Sequence, residues 1–356
     1  MRILHVVESF AGGVYSAVKT LANEQAKHGV QVAVCYSVRP DTLSEAKINS
    51  ELIDVELFRF ENKASSPKHM PGFAKFLRET IKNTKPEVVH IHSTFAGFVG
   101  RLSLRRNSKY KVFYTPHGWS FLMQDKSEKA RKVFQIIETV LARKCDGVIC
   151  VSESEAELAK TKLKAKKVTV LHNVVDVHKL PAKDYQKSVE KPVIGIVARV
   201  TYAKAPWKWQ KIAELLKEEA KFYWVGERDT SDGWISGNAI EFTGWQTGDE
   251  IVGKIPNMDI YLSTSLWEGL PVAVIEAQGV GLPAVVTDIT GNRDVVEDKV
   301  TGFVCKDIDE TIEKLRLLIK DSKLRIKMGQ AAVERVKIEF NQDNLYAKSM
   351  EAYKSF

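Results

Sequence analysis

Two carboxylates eight positions apart, Glu268 and Glu276, flank the turn Gly269-Leu270-Pro271 in the stretch STSLWEGLPVAVIEAQGVGLPAVVTD. Carboxylates accept hydrogen bonds from paired hydroxyls, so one could hold a sugar ring and the other the ribose of the same nucleotide. Taken alone, such a pair is ordinarily two solvated charges at a helix end. The flanks give it a position. Residues 258–264 (MDIYLST) read as a buried strand, and residues 271–279 have the apolar spacing of a helix with Pro271 at its first position. The pair therefore straddles a strand-to-helix switch. There the free N–H groups of the first turn and the helix dipole can hold an anionic or hydroxyl-rich ligand.

Other residues of the same chemical kind lie at further strand ends. Arg199 and Lys204 follow the apolar run VIGIVA in ARVTYAKAP, and two cations on one such loop can neutralise a diphosphate leaving group. Gly12 and Gly13 follow the first apolar run, where adjacent glycines let backbone approach a phosphate or sugar without an intervening Cβ. No Gly-x-Gly-x-x-Gly dinucleotide fingerprint is present. His117, in TPHGWSF, could hydrogen-bond a sugar or help balance charge as a glycosidic bond breaks. His90 and His92 share one strand face, but no third metal ligand is evident, and they read as site-lining or core. Asp307 and Asp309 form an Asp-x-Asp that could be mistaken for a metal site; it opens the helical run DETIEKLRLL, where aspartate serves as an N-cap. No metal is expected, the cations taking its role.

These positions need a scaffold of alternating strands and helices, and the periodicity supplies one. Strands are expected over 3–7, 30–35, 88–92, 111–115, 147–151 and 167–171, with helices over 14–28, 71–83 and 127–144. The charged, proline-bounded segment 181–192 (PAKDYQKSVEKP) reads as a linker. A second series follows with strands over 193–198, 221–225 and 240–242, a helix over 207–219, and a long helical tract from about residue 309 to 338. The tail FNQDNLYAKSMEAYKSF forms a last helix. The chain of 356 residues thus divides into two domains, 1–180 and 193–339, followed by the tail 340–356.

Charge is divided unequally between these halves. Residues 1–180 hold 29 Lys and Arg against 18 Asp and Glu, a balance of +11, and the rest of the chain carries −3. Basic residues cluster at Arg101, Arg105, Arg106, Lys109 and Lys111, around Lys126 to Lys132, and from Lys160 to Lys167. Such clusters can dock on an anionic leaflet or steer a pyrophosphate-bearing acceptor. Aromatics do not interleave them as a stacking platform for nucleic acid requires, and no nucleic-acid partner is expected. No run reaches the ~18 apolar residues of a membrane span, and the opening MRILHVVE is too brief for a signal peptide. A cytoplasmic protein, peripheral on the inner face of the membrane, is expected. The four cysteines show no ligand or disulfide-framework spacing.

The run EGLPVAVIEAQGVGLPAVVTD, with Gly291 and the later TGFV, closely resembles the donor-site signature of the retaining glycosyltransferases of family four, and likeness extends over nearly the whole chain. The resemblance implies a GT-B fold: two Rossmann-like α/β domains with parallel sheets facing a central cleft, and a C-terminal helix crossing back. It implies transfer of a sugar, from a nucleotide sugar with UDP favoured, to a glycan or polyprenyl-pyrophosphate-linked sugar in surface-polysaccharide synthesis. No cofactor is implied, the nucleotide sugar being substrate. In the matching positions Glu276 holds ribose, while Glu268, Gly269, Leu270 and Pro271 hold the sugar. Arg199 and Lys204 meet the diphosphate. Gly226, in WVGE, and Gly244, in FTGW, lie near the nucleobase. Gly12, Gly13 and His117 lie on the acceptor and sugar side. Glu268, His117, Arg199 and Lys204 are the implied catalytic set. Ala198 and Ala205 replace two glycines of the family pattern, and Val174 replaces another in HNVVD. A GT-B epimerase or a noncatalytic sugar-nucleotide-binding subunit are the alternatives.

Overall fold

The structure, a computed structural model, describes residues 1–62, 66, 68–104, 109–186, 190–228, 233–244, 246 and 248–356, with residue 249 described by its backbone alone. Arg105, Arg106, Trp245 and residues 187–189 of the expected linker lie outside the described residues. The chain divides into two compact units, one of residues 1–122, 126–174 and 342–356, the other of 123–125 and 175–341.

The first unit alternates strand and helix throughout. Its first half runs β1 (Arg2–Val7), α1 (Gly12–Lys27), β2 (Gln31–Ser37), α2 (Glu45–Glu51), β3 (Val55–Phe60), α3 (Met70–Thr84) and β4 (Val88–His92). Its second half runs α4 (Thr94–Ser103), β5 (Lys111–Thr115), α5 (Glu128–Leu141), β6 (Gly147–Cys150), α6 (Glu153–Thr161) and β7 (Val168–Val170). All pairings are parallel, in the order β3-β2-β1-β4-β5-β6-β7. Alternate residues of each strand feed two cores, as period-two geometry requires. Leu4, Val6, Val89 and Ile91 pack with Phe73 and Leu77 of α3 on one face. Ile3, Val7, Val88 and Phe113 pack with Val18 and Leu21 of α1 on the other.

The second unit repeats the scheme. It runs β8 (Val193–Val197), α7 (Pro206–Leu216), β9 (Lys221–Val225), β10 (Glu241–Phe242), α8 (Gly248–Lys254), β11 (Ile260–Ser263) and α9 (Val272–Val280). It closes with β12 (Ala284–Thr287), α10 (Asn292–Val295), β13 (Gly302–Cys305), α11 (Ile308–Lys320) and α12 (Ser322–Glu339). Strand order is β10-β9-β8-β11-β12-β13, again parallel. Lys183, from the expected linker segment, packs on this unit, its ammonium 3.0 Å from Asp259. The last helix, α13 (Leu345–Lys354), belongs to the first unit, where the Tyr346 ring stacks on His28 beyond α1 at 4.2 Å.

Three expectations are corrected locally. The tract after residue 309 is two helices, because Asp321 leaves helical geometry at ψ 91° and its carboxylate accepts from the Leu324 N–H at 2.9 Å, capping a new start. Pro271 stands outside α9 as its N-cap, extended at ψ 105°, and Val272 is the first helical residue. Helices α2, α4, α6, α8 and α10 and strands β3, β12 and β13 are not among the elements that periodicity outlines; α6 begins with Ser152, whose hydroxyl accepts from the Glu155 N–H, a capping signal visible in SESE.

One buried ion pair fastens the outer layer of the first unit. The Arg101 guanidinium of α4 meets Glu138 of α5 at 2.8 Å, with side chains 0% and 2% exposed, and lies over the Tyr114 ring of β5 at 3.6 Å. Removing one partner strands the other charge in the interior. Arg101→Met is therefore expected to cost about 3–5 kcal/mol in urea unfolding. The double change Arg101→Met with Glu138→Leu should recover most of that loss; an unaltered midpoint in the single variant would show that the pair is solvated.

Candidate active site

The second unit gathers the expected donor residues at the carboxyl edge of its sheet. Beyond β8 come exposed Arg199 and a short turn ending at Lys204; beyond β11 comes Glu268. The two loops are tied together by backbone and side chain. Leu266 N–H donates to the Ala203 carbonyl at 2.8 Å, the Thr264 hydroxyl donates to the Lys204 carbonyl at 2.8 Å, and Lys204 Nζ meets Glu268 Oε1 at 2.5 Å. Lys204 retains further N–H donors and Glu268 a second oxygen, so the pair can present charge of both signs to one ligand.

Backbone clearance completes this edge. A Cβ on Gly291 would lie 2.4 Å from the Gly269 carbonyl oxygen, so the loop bearing Glu268 and Leu270 can settle only against a glycine. Gly226 is equally close to Ala198, where a Cβ would come within 2.2 Å of its carbonyl oxygen. The Gly226 N–H donates to Thr243 Oγ1 at 3.1 Å, bringing the end of β9 beside Thr243-Gly244. Ala205, standing where the resembled pattern has glycine, keeps the left-handed turn at φ 47°. The replacement thus leaves the turn in place at the cost of strain.

Glu276 is half-buried in the second turn of α9. Burial pushes the Tyr261 phenol of β11 upward from its ordinary pKa, its hydrogen bond with the Val197 backbone works against that, and the charges of Glu268 and Glu276 add smaller upward pushes. The two glutamates thus bracket the start of α9, Glu268 in the loop that leaves β11 and Glu276 in the helix itself, with Pro271 between them. Sequence reasoning missed the aromatic group beside them. Tyr202 lies 4.8 Å from Trp207, 6.1 Å from Trp234 and 6.3 Å from Trp267, ring centre to ring centre. The signal was available in the aromatics adjoining Lys204 and Glu268.

In the first unit, Gly12 and Gly13 are exposed at the start of α1, and Gly12 has φ 55°. Glu8, at the end of β1, is 1% exposed and accepts from Arg39 Nη1 at 3.2 Å. His117 is half-buried with φ 54°, followed by Gly118 at φ 102°. A residue unnoticed in sequence holds that strained turn. Glu155 of α6, fully buried, accepts from the Gly118 N–H at 2.7 Å and from the Val151 N–H at 2.8 Å, while its carbonyl accepts from Trp119 Nε1 at 3.0 Å.

Behind His117 lie three further imidazoles. His5 of β1 is in register with His90 of β4, and the ligand atoms of His5, His90 and His92 fall within 4.8 Å of one another. The third histidine absent from the local sequence is therefore supplied by a neighbouring strand. Each of the six ring nitrogens already has a partner: His5 with Gln25 and His92, His90 with Tyr353 and Thr115, His92 with His5 and His117. The cluster is a satisfied polar core that needs no ion to complete it. A cavity of about 30 Å³, lined by His90, His92 and His117 among others, has room for a water.

Residues 11–179 match glycosyltransferase family 4, and residues 191–321 match the glycosyl transferases group 1 family. The chain is 26% identical to UDP-Gal:alpha-D-GlcNAc-diphosphoundecaprenol alpha-1,3-galactosyltransferase of Escherichia coli, over 70% of each chain. It is also 26% identical to N,N'-diacetylbacillosaminyl-diphospho-undecaprenol alpha-1,3-N-acetylgalactosaminyltransferase of Campylobacter jejuni, over 85% of each. Among solved structures, sucrose-phosphate synthase from Thermosynechococcus elongatus shares the fold with a TM-score of 0.83 and 17% identity, covering 99% of this chain and 98% of that one.

The histidines also set a pH response. Burial brings His5 and His117 down to about 4 and holds His90 and His92 well below the ordinary imidazole range. Unfolded, each titrates near 6.5. Between those values the unfolded chain binds protons that the folded one refuses, so stability is full above about pH 6.5 and falls as pH drops toward about 4. Thermal unfolding followed from pH 7.5 to 4.5 should show a falling midpoint across that window. A flat profile would mean that the imidazoles already carry charge in the native state.

Proposed function

Because the chain belongs to the glycosyltransferases, a family 4 domain followed by a group 1 domain in the GT-B fold, we propose that it moves a sugar from a UDP-sugar to a lipid-pyrophosphate-linked glycan in surface-polysaccharide synthesis. The observation that carries the donor side is the ion pair of Lys204 with Glu268, which joins the loops after β8 and β11 just ahead of the α9 N-terminus. Arg199, Lys204 and the α9 N-terminus would take the diphosphate. Glu276 would hold ribose hydroxyls, and Glu268 with the Gly269 and Leu270 backbone would hold the sugar. Both named relatives are diphospho-undecaprenol glycosyltransferases, which supports a lipid-linked acceptor and a hexosyl or N-acetylhexosaminyl group. The matched domains and relatives give no support to an epimerase or a noncatalytic subunit.

The chemistry asked of these residues is charge stabilisation. As the bond from the anomeric carbon to the leaving phosphate breaks, negative charge grows on the phosphate oxygens and the sugar becomes oxocarbenium-like. Fixed cations lower that barrier more than they stabilise the ground state. With retention of configuration, the acceptor hydroxyl attacks from the face the phosphate leaves, and the phosphate takes its proton. No covalent nucleophile, metal or other cofactor enters this scheme.

A membrane-docking face on α5 accords with a lipid-linked acceptor. No helix among the described residues is long and apolar enough to cross a membrane. Val133, Ile136 and Val140 are nonetheless 53%, 63% and 53% exposed, at the spacing of one helical face. Exposed Lys129, Lys132, Arg143 and Lys144 flank them. Apolar residues rimmed by cations suit the interface of an anionic leaflet, each cation adding about 1 kcal/mol there.

Two measurements test the proposal. UDP at ~100 times its dissociation constant should stabilise the protein by about 2.7 kcal/mol, and Glu276→Ala should abolish most of that gain. Indifference to UDP, GDP and ADP alike would remove the donor assignment. Separately, the protein should sediment with vesicles containing an anionic lipid at moderate salt, and Ile136→Glu with Val140→Glu should release it. Equal sedimentation of that variant would place the docking face elsewhere.

A further inference from the structure

Four polar side chains in the first unit form an unbranched hydrogen-bonded series that ends at His117. Gln25 Oε1 lies 2.8 Å from His5 Nε2, His5 Nδ1 lies 3.0 Å from His92 Nε2, and His92 Nδ1 lies 3.0 Å from His117 Nε2. A neutral imidazole has one donor nitrogen and one acceptor nitrogen. In a series of neutral rings, fixing the direction of the first bond therefore fixes every bond after it.

The first bond is fixed from α13. Ser349 donates its hydroxyl proton to the Tyr346 carbonyl at 2.8 Å, so the Ser349 oxygen can offer Gln25, 3.2 Å away, only a lone pair. The amide N–H₂ of Gln25 must then face α13, where it also reaches the Tyr353 hydroxyl at 3.3 Å. Tyr353 in turn bonds His90 Nδ1 at 2.8 Å, and His90 Nε2 reaches Thr115. The Gln25 carbonyl oxygen is left facing His5. It can only accept, so His5 donates from Nε2 and accepts at Nδ1. His92 repeats that pattern, and so does His117.

We infer that Gln25, His5 and His92 are positioning residues that lock His117 as its Nε2–H tautomer, leaving Nδ1 as a lone-pair acceptor for a substrate hydroxyl. Among the described residues His117 Nδ1 has no hydrogen-bond partner. A group so held takes a proton-bearing ligand atom, such as a sugar hydroxyl, and disfavours a bare phosphate oxygen. His117 thus orients a hydroxyl and does not balance charge. The opposite tautomer would reverse this selectivity, and it would require Gln25 to turn its amide against Ser349. His117 is itself held in a left-handed backbone conformation, φ 54°, while its Nε2 meets His92.

This assignment deepens the transfer reading, on which only its kinetic part rests. The test is long-range ¹H–¹⁵N correlation of the histidine rings in the full-length protein, with Gln25→Met for comparison. In the wild type His117 should give the Nε2–H pattern; an Nδ1–H pattern would overturn the inference. Gln25→Met should shift His117 toward mixed tautomers and lower kcat about 10- to 100-fold, the scale for losing a partner that orients a functional histidine, with UDP affinity unchanged. A Gln25→Met protein whose His117 signals match the wild type would equally overturn it. The wild-type spectrum needs no activity, so a protein found to transfer no sugar would refute the proposed function and leave the tautomer to be judged separately.

Discussion

Parallel pairing is the constraint on which both units depend. Strands that run side by side in one direction must be joined by crossovers, so every forward loop leaves the same edge of its sheet. In the second unit that edge receives Arg199 and Lys204 from β8, Gly226 from β9, Gly244 from β10 and Glu268 from β11. Residues up to 70 positions apart share one rim for this reason alone. In the first unit the same rule delivers Glu8, His92 and His117 to the ends of adjacent strands β1, β4 and β5. Helices on both faces then make the strands interior, which is why their sequences are continuous apolar runs.

Interior strands leave the fold a second problem, since any polar group carried inward must be matched there. The first unit solves it three times. Arg101 and Glu138 neutralise each other beneath α4 and α5. Glu155 spends its carboxylate on two backbone N–H groups, at Gly118 and Val151. The histidines remain neutral and trade single protons among themselves. Each solution is directional as well as stabilising, because a buried hydrogen bond left unmade costs about 1–3 kcal/mol. Alternative side-chain arrangements are thereby penalised, and the loop bearing His117 is held in a conformation that an isolated chain would avoid.

How much was legible in sequence follows from how far each interaction reaches. The donor edge was readable because Glu268, Gly269, Leu270, Pro271 and Glu276 are local neighbours, and their spacing encodes a strand end and a helix start. The cap at Asp307 was readable for the same reason, its carboxylate accepting from Glu310 three residues on. His5 was not, because it joins His90 only through the register of β1 on β4, 85 residues away in sequence. Glu155 is 37 positions from the glycine whose N–H it accepts. The break at Asp321 lay hidden inside a continuous helical pattern, where a cap and a mid-helix aspartate look alike until ψ is known. Ala205 shows the converse: a position where glycine would be expected can keep the same left-handed turn when the surrounding loop holds it there.

The two units also differ in the kind of electrostatics they offer, and the difference has chemical sense. A leaving diphosphate gains charge in the transition state, so the groups beside it should be permanently charged and already in place; Lys204, held by Glu268, meets both requirements. A group that orients a hydroxyl has the opposite need. A positive imidazole would carry a proton on both ring nitrogens and have no lone pair left to accept from that hydroxyl. Burial behind His117 removes that charge, and the series from Gln25 decides which nitrogen keeps the proton. Charge where charge develops, and directed neutrality where only geometry is required, is a division that the basic surface of the first unit does not disturb, because cations such as Lys129 and Lys132 are exposed to solvent while His5, His90 and His92 are buried in the sheet.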